Sequence, residues 1–507
     1  KRDRCMEHQL RRTLATTLGA LALAGCNGAA PGPDQQAVRH YGELAFTPCT
    51  LTAPYLTTNV EAQCTTYEVA EDPARPEGRK VALNIAWLPA TNEGAATDDP
   101  VFFLAGGPGQ SAVQVWPAID GAFREVRKSR HIVLVDQRGT GKSNPLACKD
   151  TEGRNAYSDP DDLSEAAAAA FARDCAASLK ADPRFYTTTD AVRDLDSVRK
   201  ALGAAKINLV GGSYGTRVAQ QYAMRHPDST RAVVIDGVVP NELVLGSEHA
   251  RNLDAALALQ FQRCQANDTC KGRFGDDLRG QLRTLMTRLA AAPANTEYRD
   301  PSTGELLTGE VNAGTVAGIT RMYSYYPQGA ALLPLVLNEA QQGRYGSLMS
   351  LSKLLEAQVG DQFMHGMQLS VICAEDADLF KTDPADGDTV LGSAMGDTLK
   401  AQCAAWPTGK RPADFHTAWT SDIPTLLTSG ELDPVTPPRY GEQVLRTLSN
   451  GRHLVLKGQG HGTFAVGCMP KLLGRFLETA DAKGLDAKCL DSLDYVPPFT
   501  SFNGWEP

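Results

Sequence analysis

Short runs of strand-forming residues alternate with helix-like segments along most of this sequence. Seven such runs, each with a core of four to seven residues, are VALNIAWLP, VFFLAGG, HIVLVDQ, INLVGGSYG, AVVIDG, PTLLTSG and HLVLKG. They end in Gly, Asp or Pro, and continuous apolar runs of this length are typical of parallel strands that are covered on both faces. The pattern predicts an α/β fold with a doubly wound, mostly parallel sheet.

The alternation is interrupted once by a long segment of different composition. Residues 242–365 are rich in Ala, Leu, Gln and Arg, have helical periodicity and contain no convincing strand pattern. Strand-like runs resume near Pro424. We therefore expect a core in two parts, 43–241 and 366–507, with a mostly helical cap at 242–365 that shapes the substrate site.

The first residues from Met6 predict export. The basic segment MEHQLRR precedes the apolar segment TLATTLGALALAG, which is too short to span a bilayer. The letters LAGC at its end resemble a bacterial lipobox, so we interpret 6–25 as a lipoprotein signal peptide and Cys26 as the lipidation site. The Gly- and Pro-rich stretch 26–42 would be a flexible tether. These features predict a cell-envelope protein that meets a bacterial membrane only through its lipid, on the periplasmic or extracellular side. An ordinary secretory signal with a stray cysteine is the alternative.

Cysteine usage agrees with export. Apart from Cys5 and Cys26, ten of the twelve cysteines remain, an even number that suits disulfides in an oxidising compartment. Sequential spacing suggests the pairs Cys49 with Cys64, Cys148 with Cys175, Cys264 with Cys270, Cys373 with Cys403, and Cys468 with Cys489. A metal site is the competing interpretation. Because the sequence has no CxxC pair and no HExxH motif, we expect no zinc.

Charge and motif context argue against two other classes of function. The net charge of −9 and the lack of a basic stripe disfavour nucleic-acid binding. The string GTGKS resembles the end of a phosphate-binding P-loop, but that motif requires glycine where Asp136 stands. We instead expect Asp136 and Arg138, in the segment DQRG, to support the site through ion pairs and hydrogen bonds.

The segment GGSYG places Ser213 in a G-x-S-x-G motif. The strand-like INLVG precedes it and the helix-like TRVAQQYAMRHP follows it, so Ser213 would lie on a tight strand-to-helix turn. That context predicts a nucleophile elbow and the α/β-hydrolase fold. A glycine-rich loop with a surface serine is the alternative.

A serine nucleophile needs a histidine base and an acid that orients the histidine. In this fold their chain order is Ser, Asp or Glu, then His. Asp433, in GELDPVTPP, and His461, in GQGHGTF, each follow a late strand and are our candidates. Asp236 at the end of AVVIDG is a rival acid, whereas His453 and His365 fit structural positions better.

The acyl-transfer intermediate needs two backbone N–H donors. Tyr214, directly after the candidate nucleophile, would supply one. Gly107, in the loop AGGPG after VFFL, would supply the other. A tight turn whose glycines serve only the backbone is the alternative for this loop.

Five motifs in order carry a family resemblance: LAGGPGQSA, VDQRGTGKS, GGSYGT, LDPVTP and GHGTF. Together they are similar to the secreted prolyl-iminopeptidase and tripeptidyl-aminopeptidase branch of the α/β-hydrolases, here in a bacterial lipoprotein form. Ala105 departs from the histidine that iminopeptidases usually carry, which favours the tripeptidyl type. The resemblance implies a serine peptidase that acts on short peptides with a free N-terminus and needs no cofactor or metal.

Such a peptidase must recognise an N-terminal ammonium, and a carboxylate is the simplest partner. The segment CAED, which recurs in the tripeptidyl type, follows the cap, so we expect Glu375, with Asp376 as second choice, to bind the ammonium. A solvated acidic pair beside a disulfide is the alternative. The function hypothesis is release of short peptides or amino acids from peptide N-termini through an acyl-enzyme. The alternatives are a carboxylesterase and a non-catalytic envelope lipoprotein.

Overall fold

A ten-stranded sheet forms the centre of the structure, a computed structural model that describes residues 38–53, 57–149, 164–359 and 362–503. The strands of the chain are β1 (Arg39–Tyr41), β2 (Leu44–Thr52), β3 (Asn59–Ala70), β4 (Lys80–Leu88), β5 (Val101–Leu104), β6 (Ile132–Val135), β7 (Ile207–Gly212), β8 (Thr230–Asp236), β9 (Ala294–Arg299), β10 (Leu306–Val311), β11 (Thr425–Gly430) and β12 (Gly451–Leu456). In the large sheet the order is β1-β2-β3-β4-β6-β5-β7-β8-β11-β12. The seven predicted runs are strands β4 to β8, β11 and β12, which confirms the predicted α/β fold.

The sheet changes character at β6. From β6 to β12 neighbouring strands are parallel, whereas β1 to β4 and the β4–β6 pair are antiparallel. Strands β5 and β6 are buried at every position, as expected for parallel strands covered on both sides. The carboxyl ends of the parallel strands therefore meet at one edge, which is where α/β sheets place their sites.

Fifteen α-helices lie in the described ranges. They are α1 (Ala112–Ile119), α2 (Arg124–Arg127), α3 (Glu165–Ser178), α4 (Thr188–Ala201), α5 (Tyr214–Arg225), α6 (His249–Ala266), α7 (Asp268–Phe274), α8 (Leu278–Ala291), α9 (Ala313–Tyr323), α10 (Pro327–Gln341), α11 (Gly346–Val359), α12 (His365–Glu375), α13 (Ala394–Ala405), α14 (Pro438–Leu445) and α15 (Met469–Thr479). Apolar residues of α4, α5 and α12 pack on one sheet face, and those of α1, α2 and α15 pack on the other. Adjacent Phe102 and Phe103 point to opposite faces, so the sheet is doubly covered.

The inserted segment has its own apolar core. Helices α6 to α10 bury Leu257, Leu285, Val316 and Leu337 against one another, apart from the sheet. The segment also contains the antiparallel hairpin of β9 and β10, which the sequence did not indicate. Both strands are short and polar, with the sequences ANTEYR and LLTGEV, so they lack the apolar run that marked the core strands.

All five predicted disulfides are present. They join Cys49 to Cys64, Cys148 to Cys175, Cys264 to Cys270, Cys373 to Cys403 and Cys468 to Cys489. Disulfides of this number persist in oxidising compartments, which indicates an exported protein.

The predicted signal peptide, Cys26 and tether residues 26–37 lie outside the described residues. Arg39–Tyr41, which the tether prediction included, form β1 and pair with residues 44–46 of β2. The helices of the described ranges include none with the length and apolarity needed to cross a bilayer.

Candidate active site

Ser213 stands on a strained turn between β7 and α5. Its φ of 53° and ψ of −125° are rare for a residue with a side chain. A Cβ at Gly211 would lie 2.3 Å from the carbonyl oxygen of Gly215, and a Cβ at Gly215 would lie 2.2 Å from that of Leu104. Glycine is therefore required on both sides of the serine, as in a nucleophile elbow. The Ser213 N–H donates to the Asp236 carbonyl at 2.9 Å, which fixes the turn to the end of β8.

Asp433 and His461 form a buried pair at the same sheet edge. Asp433 follows β11, and His461 lies in the loop after β12. The distance between His461 Nδ1 and Asp433 Oδ2 is 2.7 Å. The other carboxylate oxygen accepts the backbone N–H groups of Val435 and Thr436 at 2.9 and 2.8 Å. This arrangement fixes the proton on Nδ1 and leaves Nε2 as the basic nitrogen.

Thr436 is a third member of this arrangement that the sequence analysis missed. Its hydroxyl donates to Asp433 Oδ2 at 2.9 Å, and its oxygen lies 3.1 Å from His461 Nδ1. The hydroxyl therefore contacts both members of the pair. The spacing Asp-x-x-Thr, in which Thr436 closes a turn on Asp433, is the sequence signal that could have indicated it.

Electrostatics of the pair favour a histidine that is readily protonated during a reaction. Burial of the ring lowers the pKa of His461, but the charge of Asp433 and its hydrogen bond outweigh burial and hold the pKa above its ordinary value. Burial would likewise raise the pKa of Asp433, yet the charge and hydrogen bond of His461 lower it below its ordinary value. Asp433 thus stays ionised beside the imidazole.

Asp236, the rival acid, binds the loop of His461 through Thr463 and not through the imidazole ring. Its carboxylate accepts the N–H of Thr463 at 2.5 Å and the hydroxyl of Thr463 at 2.9 Å. Its backbone carbonyl meanwhile accepts from Ser213. Asp236 therefore connects the elbow to the loop of His461, while Asp433 makes the hydrogen bond to the imidazole. Among the described residues no hydrogen bond joins Ser213 Oγ to His461, and such bonds often tighten only when substrate binds.

The loop after β5 lies beside the elbow. A Cβ at Gly106 would be 3.1 Å from Cβ of Ser213, so the backbone approaches the serine as closely as it can. Gly107 has φ of +109°, and a Cβ there would lie 2.6 Å from the N atom of Gly109. Tyr214 is the first residue of α5, where N–H groups have no partner within the helix. The structure thus brings both predicted donor residues to the neighbourhood of Ser213.

Glu375 lies at the end of α12 and is fully buried. Its two carboxyl oxygens accept the N–H of Thr188 at 2.6 Å and the hydroxyl of Thr188 at 2.9 Å. That hydroxyl is 2.6 Å from the phenol oxygen of Tyr214, which also accepts from Gln137 at 3.2 Å. Burial and the charge of Asp376 raise the pKa of Glu375 to about 8. These contacts connect Glu375 to the side chain after the candidate nucleophile and do not support the predicted ammonium contact.

Asp376 is engaged in a buried ion pair. Both side chains of the pair are fully buried, and Arg217 Nη1 lies 3.0 Å from Asp376 Oδ2. Arg217 Nη2 also donates to the carbonyl oxygens of Pro240 and Leu243. Asp376 therefore compensates a buried arginine of α5, and the structure does not support its predicted second-choice role with substrate.

Asp136 and Arg138 make the buried hydrogen bonds and the ion pair that the segment DQRG was expected to supply. Arg138 forms two hydrogen bonds with Asp194, at 2.6 and 2.7 Å, in a buried ion pair. Asp136 accepts the hydroxyl of Ser111 at 2.5 Å and the N–H of Val113 at 3.1 Å. The latter contacts hold the end of the loop that contains Gly107.

A cavity of about 350 Å³ lies between this loop and the cap. Gly107 and Pro108 line one side, and His249 of α6 and Arg321 of α9 line the cap side. The cap is fixed above the site because the His461 N–H donates to the carbonyl oxygen of Tyr325 at 2.6 Å. The cavity thus lies next to the candidate oxyanion loop and has the volume of a small ligand site.

The fold and this site agree with comparison to known proteins. Residues 99–467 match the family model described as alpha/beta hydrolase fold. The chain belongs to the α/β-hydrolase family. The matched range contains the strands and loops that carry the candidate nucleophile, acid and base.

Several relatives of this α/β-hydrolase are named as peptidases. Serine protease Hip1 of Mycobacterium tuberculosis is 25% identical over 93% of this chain and 95% of its own. The tripeptidyl aminopeptidase of Streptomyces lividans is 30% identical over 46% of each chain. The proline iminopeptidase of Neisseria gonorrhoeae is 31% identical over 27% of this chain and 32% of its own. These relatives support a serine hydrolase of the peptidase class.

Proposed function

We propose that this α/β-hydrolase is an exported serine peptidase that releases short peptides or amino acids from the N-terminus of peptides. The observation that carries the proposal is the 2.7 Å pair of His461 and Asp433 at the sheet edge where the Ser213 elbow lies. The peptidase names of its relatives support the substrate class.

In the proposed reaction Ser213 Oγ attacks the carbonyl carbon of the scissile amide. His461 Nε2 takes the serine proton, and Asp433 stabilises the imidazolium that forms. The N–H groups of Gly107 and Tyr214 would hydrogen-bond the oxyanion of the tetrahedral intermediate.

Collapse of that intermediate breaks the C–N bond. The imidazolium of His461 gives its proton to the leaving amine, and the acyl group remains as an ester on Ser213. His461 then takes a proton from water, whose oxygen attacks the ester carbonyl. The C–O bond of the ester then breaks, the N-terminal fragment leaves with a new C-terminal carboxyl group, and His461 returns a proton to Ser213 Oγ.

Specificity for the N-terminus is the finer part of the proposal. The cap and the Gly107 loop line a cavity of about 350 Å³, and a cavity of this size suits the short end of a peptide better than the middle of a long chain. The relative named tripeptidyl aminopeptidase is in accord with this specificity.

The decisive experiment compares the purified protein with its Ser213→Ala variant on free and N-acetylated chromogenic mono-, di- and tripeptides and on a short-chain ester. The proposal expects cleavage of the free-amine peptides only, and loss of that cleavage in Ser213→Ala. The peptide that is cleaved fastest gives the length of the released fragment.

The same experiment separates the carboxylesterase alternative. An esterase uses the same serine, base and acid but has no need for a free amine. Fast Ser213-dependent ester turnover together with equal cleavage of free and acetylated peptides would replace the aminopeptidase proposal with an esterase or endopeptidase. Activity that persists in Ser213→Ala would remove the proposed nucleophile.

A further inference from the structure

The cavity between the cap and the Gly107 loop contains an arginine with no internal partner. Arg321 lies in the last turn of α9 and lines this cavity opposite Gly107 and Pro108. Within the described ranges Arg321 takes part in no ion pair or hydrogen bond, although its side chain is half-buried. A guanidinium that is partly removed from water and unpaired gains strongly from an anionic ligand.

The rest of the cavity lining contributes no competing charge. No Asp or Glu is among its described lining residues, whose other ionisable groups are His249 and His365. Burial, helped by the charges of Arg321 and His461, lowers the pKa of His249 to about 3. Burial lowers the pKa of His365 to about 4. Both imidazoles are therefore uncharged near neutral pH, and the lining carries the single positive charge of Arg321.

The position of Arg321 is fixed relative to the reacting groups. Tyr325 lies four residues after Arg321, and its carbonyl oxygen accepts the His461 N–H at 2.6 Å. The Tyr325 ring also packs edge-on against the His461 ring, with 5.2 Å between centroids. The end of α9 is thus anchored to the loop of the candidate base, and Arg321 lines the same cavity as Gly107 of the candidate oxyanion loop.

We propose that Arg321 binds a carboxylate of the substrate, so that the protein prefers peptides with an acidic group near the cleaved bond. This inference rests on the proposed peptidase function and adds the substrate class to it. The planar guanidinium can make two parallel hydrogen bonds with a carboxylate. The carboxylate has two sources, a Glu or Asp side chain and the C-terminus of a short peptide. The same charge would repel an N-terminal ammonium from this part of the cavity.

The test measures binding without turnover. Ser213→Ala protein is titrated by calorimetry with an alanine tetrapeptide amide, its free acid, and three amides that carry one glutamate at position one, two or three. We expect at least one carboxylate-bearing peptide to bind about tenfold or more tightly than the amide that lacks a carboxylate, because hydrogen bonds to charged groups are the strong ones. Preference for the free acid identifies the C-terminus as the source, and preference for one glutamate peptide identifies a side chain.

Substitutions of Arg321 test whether this residue causes the preference for a carboxylate. In the same background Arg321→Met should remove the difference between peptides with and without a carboxylate, and Arg321→Lys should keep part of it. Arg283→Met is the matched control, because Arg283 lies on the cap surface and pairs with Asp388; it should keep the whole preference. Equal binding or no binding of all five peptides, or a preference that survives in folded Arg321→Met, would overturn the proposal. Failure of the peptidase function would show separately, as absent cleavage by protein with Ser213 intact.

Discussion

Thr436 contacts both members of the candidate acid–base pair, which makes its hydroxyl a test of how the pair is held. Thr436→Val removes the hydroxyl at nearly constant shape and leaves His461 oriented by Asp433 alone. A hydrogen bond to a charged group contributes about 1.5 kcal/mol or more, so kcat should fall about tenfold with little change in KM. Steady-state kinetics on a free-amine peptide measure this effect.

The matched variant Thr436→Ser keeps the oxygen that lies near Asp433 and His461. It should retain most of the wild-type kcat, because the hydrogen-bonding group is preserved. Equal kcat values for the valine variant, the serine variant and the wild type would show that the hydroxyl has no part in holding the pair.

The raised pKa of His461 predicts the acid limb of the pH profile. His461 must be uncharged to accept the serine proton, so kcat/KM should rise with pH through a midpoint above about 6.5, the ordinary histidine pKa. Asp433→Asn removes the charge that raises the pKa, and its midpoint should move to lower pH while the rate drops by several orders of magnitude. A pH series of kcat/KM for both proteins measures the shift.

The exposed Asp228 provides the control for that shift. Asp228→Asn changes the net charge of the protein by the same amount at a site away from the pair. Its midpoint should match that of the wild type. A midpoint that is the same in Asp433→Asn and in wild type would contradict the assignment of the acid limb to His461.

Single residues also show where sequence reasoning reached its limit. Ser213, Asp433 and His461 could be placed because each follows a strand in the chain order of the fold, and the structure brings the elbow and the pair to one edge. The letters CAED show only that two acids follow a cysteine. They do not reveal that α12 ends inside the protein. There Thr188 donates a hydrogen bond to Glu375, and Arg217 forms an ion pair with Asp376.

At the scale of elements, the buried ion pair of Arg217 and Asp376 connects α5, which begins at the elbow, to the end of α12. Arg217→Met would leave Asp376 as an uncompensated buried charge. Breaking such a pair costs about 3 kcal/mol or more, so the free energy of unfolding should fall by that amount. Denaturant unfolding followed by circular dichroism measures it.

An exposed pair in the same region provides the comparison. Arg411 contacts Asp378 at 2.7 Å, but the Asp378 side chain is 63% exposed. Because solvent screens this pair, Arg411→Met should cost less than about 1 kcal/mol. Similar losses for Arg217→Met and Arg411→Met would mean that burial does not set the energy of the α5 to α12 contact.

Strands differed in how well the sequence revealed them. Strands β5 and β6 read as continuous apolar runs because helices cover both faces of the sheet there. Strand β3 alternates instead, with Val60 and Ala62 buried and Glu61 exposed, because it belongs to the antiparallel end of the sheet. The hairpin of the cap is polar and short, so only its pairing in three dimensions defines it. The sequence therefore revealed strands that are buried on both faces more clearly than strands that are partly exposed.

At the scale of the whole molecule, five disulfides each join two segments that are close in the sequence, in the core or in the cap. Cys264 and Cys270 lie within the cap, and Cys373 and Cys403 join α12 to α13, two helices that line the cavity. Closing the 30-residue separation of the latter pair lowers the chain entropy of the unfolded state, which corresponds to about 3.6 kcal/mol at 25 °C. These bonds form only where oxidants are available, so we expect this chain to complete its folding in an oxidising compartment.

The last prediction concerns Cys26. The letters LAGC after a basic and then an apolar segment predict a lipid on the Cys26 sulfur, and the Gly- and Pro-rich residues that follow would separate the lipid from β1 at Arg39. We propose that the mature protein is held at a bacterial membrane by this lipid. Cys26→Ala should move the protein from the membrane fraction to the soluble fraction without loss of peptidase activity per molecule, because the candidate site lies wholly in the disulfide-bonded fold. Fractionation with immunoblotting, and mass spectrometry of the N-terminal peptide, measure both parts. An unmodified Cys26, or an unchanged distribution of the protein between the membrane and soluble fractions, would instead support an ordinary secretory signal in which Cys26 is not lipidated.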